Sequence, residues 1–483
     1  MALTRLRAEW APSIPRELMA GAVATFALIP EVIAFSFVAG VDPSVGLFAS
    51  FVISIVIAFT GGRPAMISAA AGSVALVAAP LVQSHGLPYL LAAGMLAGVV
   101  QVLFGLLRLG VLMRFVSSSV RTGFVNALAI LIFAAQMPHL LGANAATWGM
   151  VGLGLVIIYG LPRITSVVPS PLVCIVVLTV IASWFGLPLK TVADLGTLPD
   201  ALPVFAGPDV PFTLDTLRLI ALPALAIAMV GLLESMMTAS VVDELTDTPS
   251  SKNRECSGLG LANIAASFFG GIAGCGMIGQ TVSNVRYGGR GRLSTLFAGA
   301  FLLILMVLLK PWVSQVPVAS LVAIMVMVSA STFDWGSLRS VVRHPRLSST
   351  VMLATVAVTV ATANLAAGVA VGVMLSGVFF AFKVSRLLAV QAEDDPATGL
   401  RTYRVTGQVF FASADVFVDA FDTLDTEGRP VRIDLTQAHF WDVTAVAALD
   451  KAVQRLQKHG STVEVIGLNA ASAVLVDRLG QPR

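Results

Sequence analysis

A chain of 483 residues that is 57% hydrophobic and 12% charged, with a mean hydropathy of +0.88, is too apolar for an ordinary soluble protein and reads as a polytopic membrane protein. Its net charge of +3 is too small to suggest nucleic acid as a partner. Three cysteines, Cys174, Cys256 and Cys275, are odd in number and lie in or beside apolar segments, which supports neither a disulfide framework nor a CxxC metal site.

Arg5, Arg7 and Arg16 precede a first span near Leu18 to Ala39, which leads directly into another and so reads as an uncleaved span, not a signal peptide. This span contains Pro30 with Glu31 beside it, a break carrying a carboxylate. Spans follow near Val45 to Thr60, Ala71 to Val82 (short) and Tyr89 to Leu107. A fifth comes after Arg114 and Arg121 and runs to Met137; the sixth and seventh lie near Gly149 to Gly160 and Ser170 to Gly186. A polar loop, Leu187 to Asp215, then divides the membrane part. The second half gives spans near Thr216 to Val242, Gly258 to Ile272, a short one from Ile278, then Leu293 to Leu309, Val318 to Thr332, Ser348 to Asn364 and Ala366 to Lys383.

The expected fold is therefore an α-helical polytopic membrane protein with 14 transmembrane segments, seven plus seven, over residues 1–390, its repeats at about 10–186 and 213–383. With the N-terminus inside, eighteen Lys and Arg fall in inside segments and three (Lys190, Arg218, Lys310) outside, the bias expected of cytoplasmic loops. Both termini are placed in the cytoplasm, with the protein in the inner (plasma) membrane. An odd number of spans per half makes the two repeats inverted. In each half a span with an embedded glutamate (Glu31, Glu234) comes two spans before a short segment rich in small residues, SAAAGS at Ser68 to Ser73 and GMIGQTVS at Gly276 to Ser283. Corresponding interrupted segments point to a transporter site between inverted repeats.

After a polar linker, 391–400, the tail at 401–483 alternates. TYRVTGQVFF, VRIDLT and TVEVIGL read as strands, and Ala414 to Leu424, Thr444 to His459 and Ala471 to Leu479 as helices, giving a small α/β domain without a Walker-type loop or metal cluster.

Of 27 Asp and Glu, 14 precede residue 393, and of these Glu31 and Glu234 alone sit deep inside predicted spans. A buried intramembrane carboxylate is costly and is by default a functional hypothesis, often a proton carrier. Glu31, beside Pro30, is the stronger candidate; for Glu234, Ser235, Thr238 and Ser240 offer local partners that would give it a structural role. The short helices supply unpaired N–H groups at their starts, which bind anions without a fixed cation. Two such ends would hold a small anion between Ala71, Gly72 and Ser73 on one side and Ile278, Gly279, Gln280 and Thr281 on the other. The alternative is that small residues serve only tight helix packing.

PRELMAGAVATFALIPEVIAFSFVAGVDPSVGLFASF (Pro15 to Phe51) resembles the signature first and second spans of the sulfate permease family of anion transporters. NRECSGLGLANIAASFFGGIAGCG (Asn253 to Gly276) is similar to that family's signature before its short helix, and the tail is similar to its cytoplasmic STAS domain. The resemblance implies the fold shared with uracil permeases, a core domain moving against a gate domain, often in homodimers. It places Glu31 and Phe35, Ala71 to Ser73, and Ile278 to Gln280 at the anion site, with Glu234 nearby. Two positions depart from the family's pattern: many relatives have Gln where Glu31 stands, and several anion-binding members have Arg where Gln280 stands. In the tail, DVTA at Asp442 to Ala445 replaces a DSSG-like turn, with Thr444 where a phosphorylated serine would be.

A carboxylate gained and a cation lost favour proton-coupled symport of a dicarboxylate, bicarbonate or sulfate over chloride-like exchange. Expected partners are thus a small anion, protons, the bilayer and a second copy, without a cofactor or catalytic residue. The alternatives are a nucleobase permease on the same fold, a channel, and a membrane-tethered STAS signalling protein. Five scattered histidines and no nucleophile beside a base argue against an enzyme.

Overall fold

The computed structural model describes residues 9–111, 116–164, 169–194, 204–308, 310–343, 346–421, 426 and 428–480. Arg5, Arg7 and Arg114 of the charge bias, part of the 187–215 loop and the end of the helix expected to reach Leu424 lie outside them.

Helix α1 (Ile14–Ala39) has Pro15 in its first turn and stops at Gly40, whose φ of 76° is the left-handed conformation of a helix terminus. The expected break at Pro30 is absent: the helix runs through it. After α2 (Pro43–Thr60) the chain forms a three-residue strand, β1 (Ser68–Ala70), and a half-length helix, α3 (Gly72–His85). Then come α4 (Leu87–Leu106), α5 (Ser118–Leu140), α6 (Ala145–Gly160) and α7 (Ser170–Phe185). The second half repeats this order with α8 (Leu214–Thr246), α9 (Lys252–Phe268), β2 (Gly274–Gly276) and the short α10 (Ile278–Arg286). It continues with α11 (Arg292–Leu308), α12 (Val318–Thr332), α13 (Trp335–Arg343), α14 (Arg346–Thr362) and α15 (Leu365–Ser385). Among the described residues 7 helices are long and apolar enough to cross a membrane, and α7, α11, α12 and α14 are shorter apolar ones.

Two expected boundaries move for physical reasons. Helix α9 begins at Lys252, six residues before the predicted Gly258, because a polar residue of its first turn is anchored in protein: Glu255 is fully buried and accepts the Gly62 and Arg63 N–H groups at 2.7 and 3.1 Å. Helix α1 likewise begins at Ile14, before the expected Leu18, with Glu17 buried in its first turn and accepting the N–H groups of Arg290, Gly291 and Ser294 at the start of α11. Burial of acids in this chain is thus wider than the two predicted from the span interiors.

The helices of this part pack in two groups. In one, α1–α4 lie against α8–α11; in the other, α5, α6 and α7 lie against α12 and α14. Helices α4 and α9 pack backbone to backbone, because Gly98 and Gly260 face each other: a Cβ on either would stand 2.6 or 2.4 Å from the other's carbonyl oxygen. Backbone approach of this kind requires glycine in membrane bundles.

The tail is a four-stranded sheet in the order β3 (Ala389–Asp394), β4 (Arg401–Val409), β5 (Pro430–Phe440) and β6 (Thr462–Ile466). β4, β5 and β6 are parallel, while β3 is an antiparallel edge strand paired residue for residue with Arg401–Thr406. The segment read as a linker, 391–400, therefore begins as sheet. Helices α16 (Ala414–Asp419), α17 (Val443–Lys458) and α18 (Ala470–Leu479) complete it, with a core that includes Tyr403, Phe417, Ile433 and Leu449. Asp442 caps α17 through the Ala445 N–H at 2.8 Å, leaving Thr444 exposed in the first turn.

Candidate functional site

β1 and β2 pair antiparallel, Ser68 with Gly276, Ala69 with Cys275 and Ala70 with Gly274, so their helices leave in opposite directions from opposite ends of one ribbon. A three-residue ribbon is roughly 7–10 Å long, which keeps the starts of α3 and α10 close together. The Met277 N–H extends the pairing to the Ile67 carbonyl at 2.8 Å. Gly274 is required here, since a Cβ would stand 2.0 Å from the Ala69 oxygen.

Extended backbone buried among these helices survives because side chains complete its hydrogen bonds. The Ser54 hydroxyl donates to the Ser68 carbonyl (2.8 Å), and the Ser50 hydroxyl accepts the Ala70 N–H (3.2 Å). The Asn263 amide brackets Gly274, accepting its N–H at 2.9 Å and donating to its carbonyl at 3.2 Å, and is itself held by Gln101 at 2.8 Å. Ser235 accepts the Gly276 N–H (2.9 Å), and Thr238 donates to the Gly276 carbonyl (2.8 Å). Fully buried polar side chains inside apolar helices were the available signal for Ser50, Ser54, Gln101 and Asn263, none of which was singled out from the sequence.

Among the described residues neither short helix has a side-chain cap from its N-cap residue: Ala71 and Met277 are extended, and their side chains carry no acceptor for the first N–H groups. Both starts meet a cavity of about 520 Å³ between the two helix groups. Glu31, Phe35, Gly72, Ser73, Glu234, Ile278, Gly279 and Gln280 line it from one side, and Phe124, Leu128, Met327 and Ser331 from the other. Of the predicted site residues, Ala71 and Thr281 are not in the lining. Ala71 is fully buried, its carbonyl accepting the Ala75 N–H, and the Thr281 hydroxyl is tied to Ile67, accepting its N–H at 2.9 Å.

The two helix starts differ. The Phe35 ring lies over Gly72, where a Cβ would come within 2.6 Å of it, whereas among the described residues nothing lies within 4 Å of a Cβ at Gly279. The carboxylates differ too. Glu31 is half-buried and open to the cavity, with the Gln280 side chain as its hydrogen-bonding neighbour and Glu234 near enough to act on it electrostatically. Glu234 accepts from the Ser73 hydroxyl and from the Cys275 thiol at 3.1 Å. Of the neighbours expected to partner Glu234, Thr238 donates to its backbone carbonyl (2.8 Å) as well as to β2, while Ser235 bonds β2 and Ser240 the Met236 carbonyl, so none of the three meets the carboxylate itself.

A polytopic helical bundle with two interrupted helices and two carboxylates around one cavity is the build of a membrane transporter. Residues 14–151 and 143–355 match the sulfate permease family and residues 390–482 the STAS domain, and the chain belongs to that family of anion transporters, which are not enzymes. YbaR of Bacillus subtilis (strain 168), provisionally named a sulfate transporter, is 51% identical over 474 residues, 98% of each chain. The transmembrane domain of a cyanobacterial bicarbonate transporter, BicA, superposes with a TM-score of 0.66 at 25% identity, covering 75% of this chain and 97% of its own. The murine Solute Carrier 26 family member A9 anion transporter in its inward-facing state shares the fold along 96% of this chain and 87% of its own, with a TM-score of 0.83 at 18% identity.

Proposed function

We propose that this protein is a secondary active carrier that holds a small anion at the paired starts of α3 and α10 and moves it by alternating access, with Glu31 carrying a coupled proton. The observation that carries this is the antiparallel ribbon, which aims two uncapped helix starts into one cavity. Each start offers unpaired N–H groups and the positive end of a helix dipole, a ready site for an anion. Two carboxylates in the same cavity would repel that anion while ionised; a proton on Glu31 removes part of the repulsion and travels with the solute. Sulfate and bicarbonate, the solutes in the names of YbaR and BicA, and C4-dicarboxylates are the substrates to test.

The helix order supports a count of fourteen spans in two inverted sevens, α1–α7 and α8–α12 with α14 and α15. On this reading the group α1–α4 with α8–α11 is the moving core and the other group the gate. The transport domain extends through α15, and the STAS domain begins at β3. The charge bias puts both termini in the cytoplasm and the protein in the plasma membrane, and the cavity mouth at Arg286 then faces inward. A homodimer is expected from the family resemblance alone.

The test is counterflow in proteoliposomes of labelled sulfate, bicarbonate and a C4-dicarboxylate at two pH values. A carrier accumulates label transiently against unlabelled solute inside. Absence of counterflow for every anion would favour a sensor or anchor in place of a carrier.

A further inference from the structure

Three arginines close the stretch that contains α10, and they are not equivalent. Arg290 is committed to the backbone, its guanidinium donating to the Val285 and Gly289 carbonyls at 2.6 and 2.9 Å. Arg292 is buried and ties Glu9 at 2.7 Å to the Ala58 and Gly61 carbonyls. Arg286 is exposed, has no carboxylate partner among the described residues, and lines the cavity.

Its place on α10 gives that exposure a direction. Gln280, Ser283, Arg286 and Tyr287 all line the cavity and recur at the three- and four-residue spacing of one helix face. At 1.5 Å per residue, Arg286 is about 9 Å further along the axis than Gln280, away from the uncapped start. The cavity therefore has Glu31, Glu234 and the helix starts at its inner end and a cation towards its mouth.

We propose that Arg286 is an anion-capture residue at the mouth of the cavity, which raises affinity for the substrate from one membrane face only and favours dianions over monoanions. This rests on the carrier reading given above. An approaching anion meets the carboxylates at the inner end, and a cation in its path compensates for them before the helix starts are reached. The attraction scales with the charge of the anion, so a dianion gains twice the free energy and the square of the fold-change. It acts across a wet mouth and is screened by salt, with a Debye length of about 10 Å at 0.1 M. A cation in the last turn of a helix also stabilises the helix dipole, and that role alone would not distinguish the faces.

The experiment measures uptake of labelled sulfate and bicarbonate by the full chain in right-side-out and everted membrane vesicles, at low and high ionic strength. For Arg286→Gln, the KM for sulfate should rise about tenfold from one face and less than twofold from the other. The KM for bicarbonate should rise about threefold on that same face. The wild-type loss of affinity with salt should flatten there, and Arg286→Lys should restore most of the affinity and the salt response. A KM change equal on both faces, no KM change on either, or a loss of kcat that Lys does not restore would overturn the proposal. Wild-type vesicles that move neither anion would instead show that the carrier reading fails for these substrates, and this inference would fall with it.

Discussion

The Ser73 hydroxyl donates to the Glu234 carboxylate, joining the first turn of α3 to the middle of α8 across 161 positions of sequence. The same oxygen accepts from the Cys275 thiol of β2, so one carboxylate holds a half-helix from the first repeat and a strand from the second. Removing it would leave the Ser73 hydroxyl and the Cys275 thiol with only a weak contact to each other at 3.7 Å, stranding at least one buried donor at about 1–3 kcal/mol. Glu234→Ala should therefore lower the thermal unfolding midpoint in detergent clearly, and Glu234→Gln, which keeps a carbonyl oxygen, should lower it less. Equal midpoints for the two variants would mean that the acceptor is not what stabilises this junction.

Glu31 has a different environment, open to the cavity and next to Gln280. If it carries the coupled proton, wild-type uptake rises as the outside is made more acidic. Glu31→Gln, isosteric and unable to titrate, should still exchange labelled for unlabelled anion but lose the acceleration by an inward proton gradient. Proteoliposomes with imposed pH gradients measure this, and an unchanged response in Glu31→Gln would assign the proton elsewhere.

The two interruptions were legible in the sequence because glycine and small residues break apolar spans at matching places in the halves. The antiparallel ribbon was not legible, because three residues are too few to show a strand period and Ala69 and Ala70 carry no β preference. The carboxylate partners of Glu234 are hidden for a related reason. Sequence favours neighbours such as Ser235 and Thr238, but Thr238 meets only the backbone carbonyls of Glu234 and Gly276, Ser235 accepts the Gly276 N–H, and the carboxylate pairs across the repeats instead. In the tail, β3 was missed because its burial is slight, as befits an exposed edge strand, so no apolar alternation marks it.

Asn263 tests whether that backbone depends on its side-chain partners. Its amide meets both polar groups of Gly274 and the Gln101 side chain, and all three residues are buried. Asn263→Leu keeps a similar volume but strands these groups, again at about 1–3 kcal/mol each. A lowered unfolding midpoint together with weaker anion binding is expected. Anion affinity that persists in a destabilised Asn263→Leu would show that the ribbon is held by its other bonds.

Gly72 and Gly279 allow stability and binding to be separated, because they begin equivalent helices in unlike surroundings. A methyl at Gly72 would collide with Phe35, so Gly72→Ala should destabilise the protein and weaken transport together. A methyl at Gly279 meets nothing within 4 Å among the described residues and points into open space where α10 begins. In a helix, Ala is favoured over Gly by roughly 0.5–1 kcal/mol, so Gly279→Ala should unfold at the same or a higher temperature. If the anion sits against the N–H groups of this turn, the same methyl occupies part of its volume and the dissociation constant should rise about tenfold. Calorimetric titration beside a melting curve reads both effects on one sample. Unchanged affinity in a normally stable Gly279→Ala protein would remove the start of α10 from the anion site, because the substitution leaves the backbone donors in place and alters only the space in front of them.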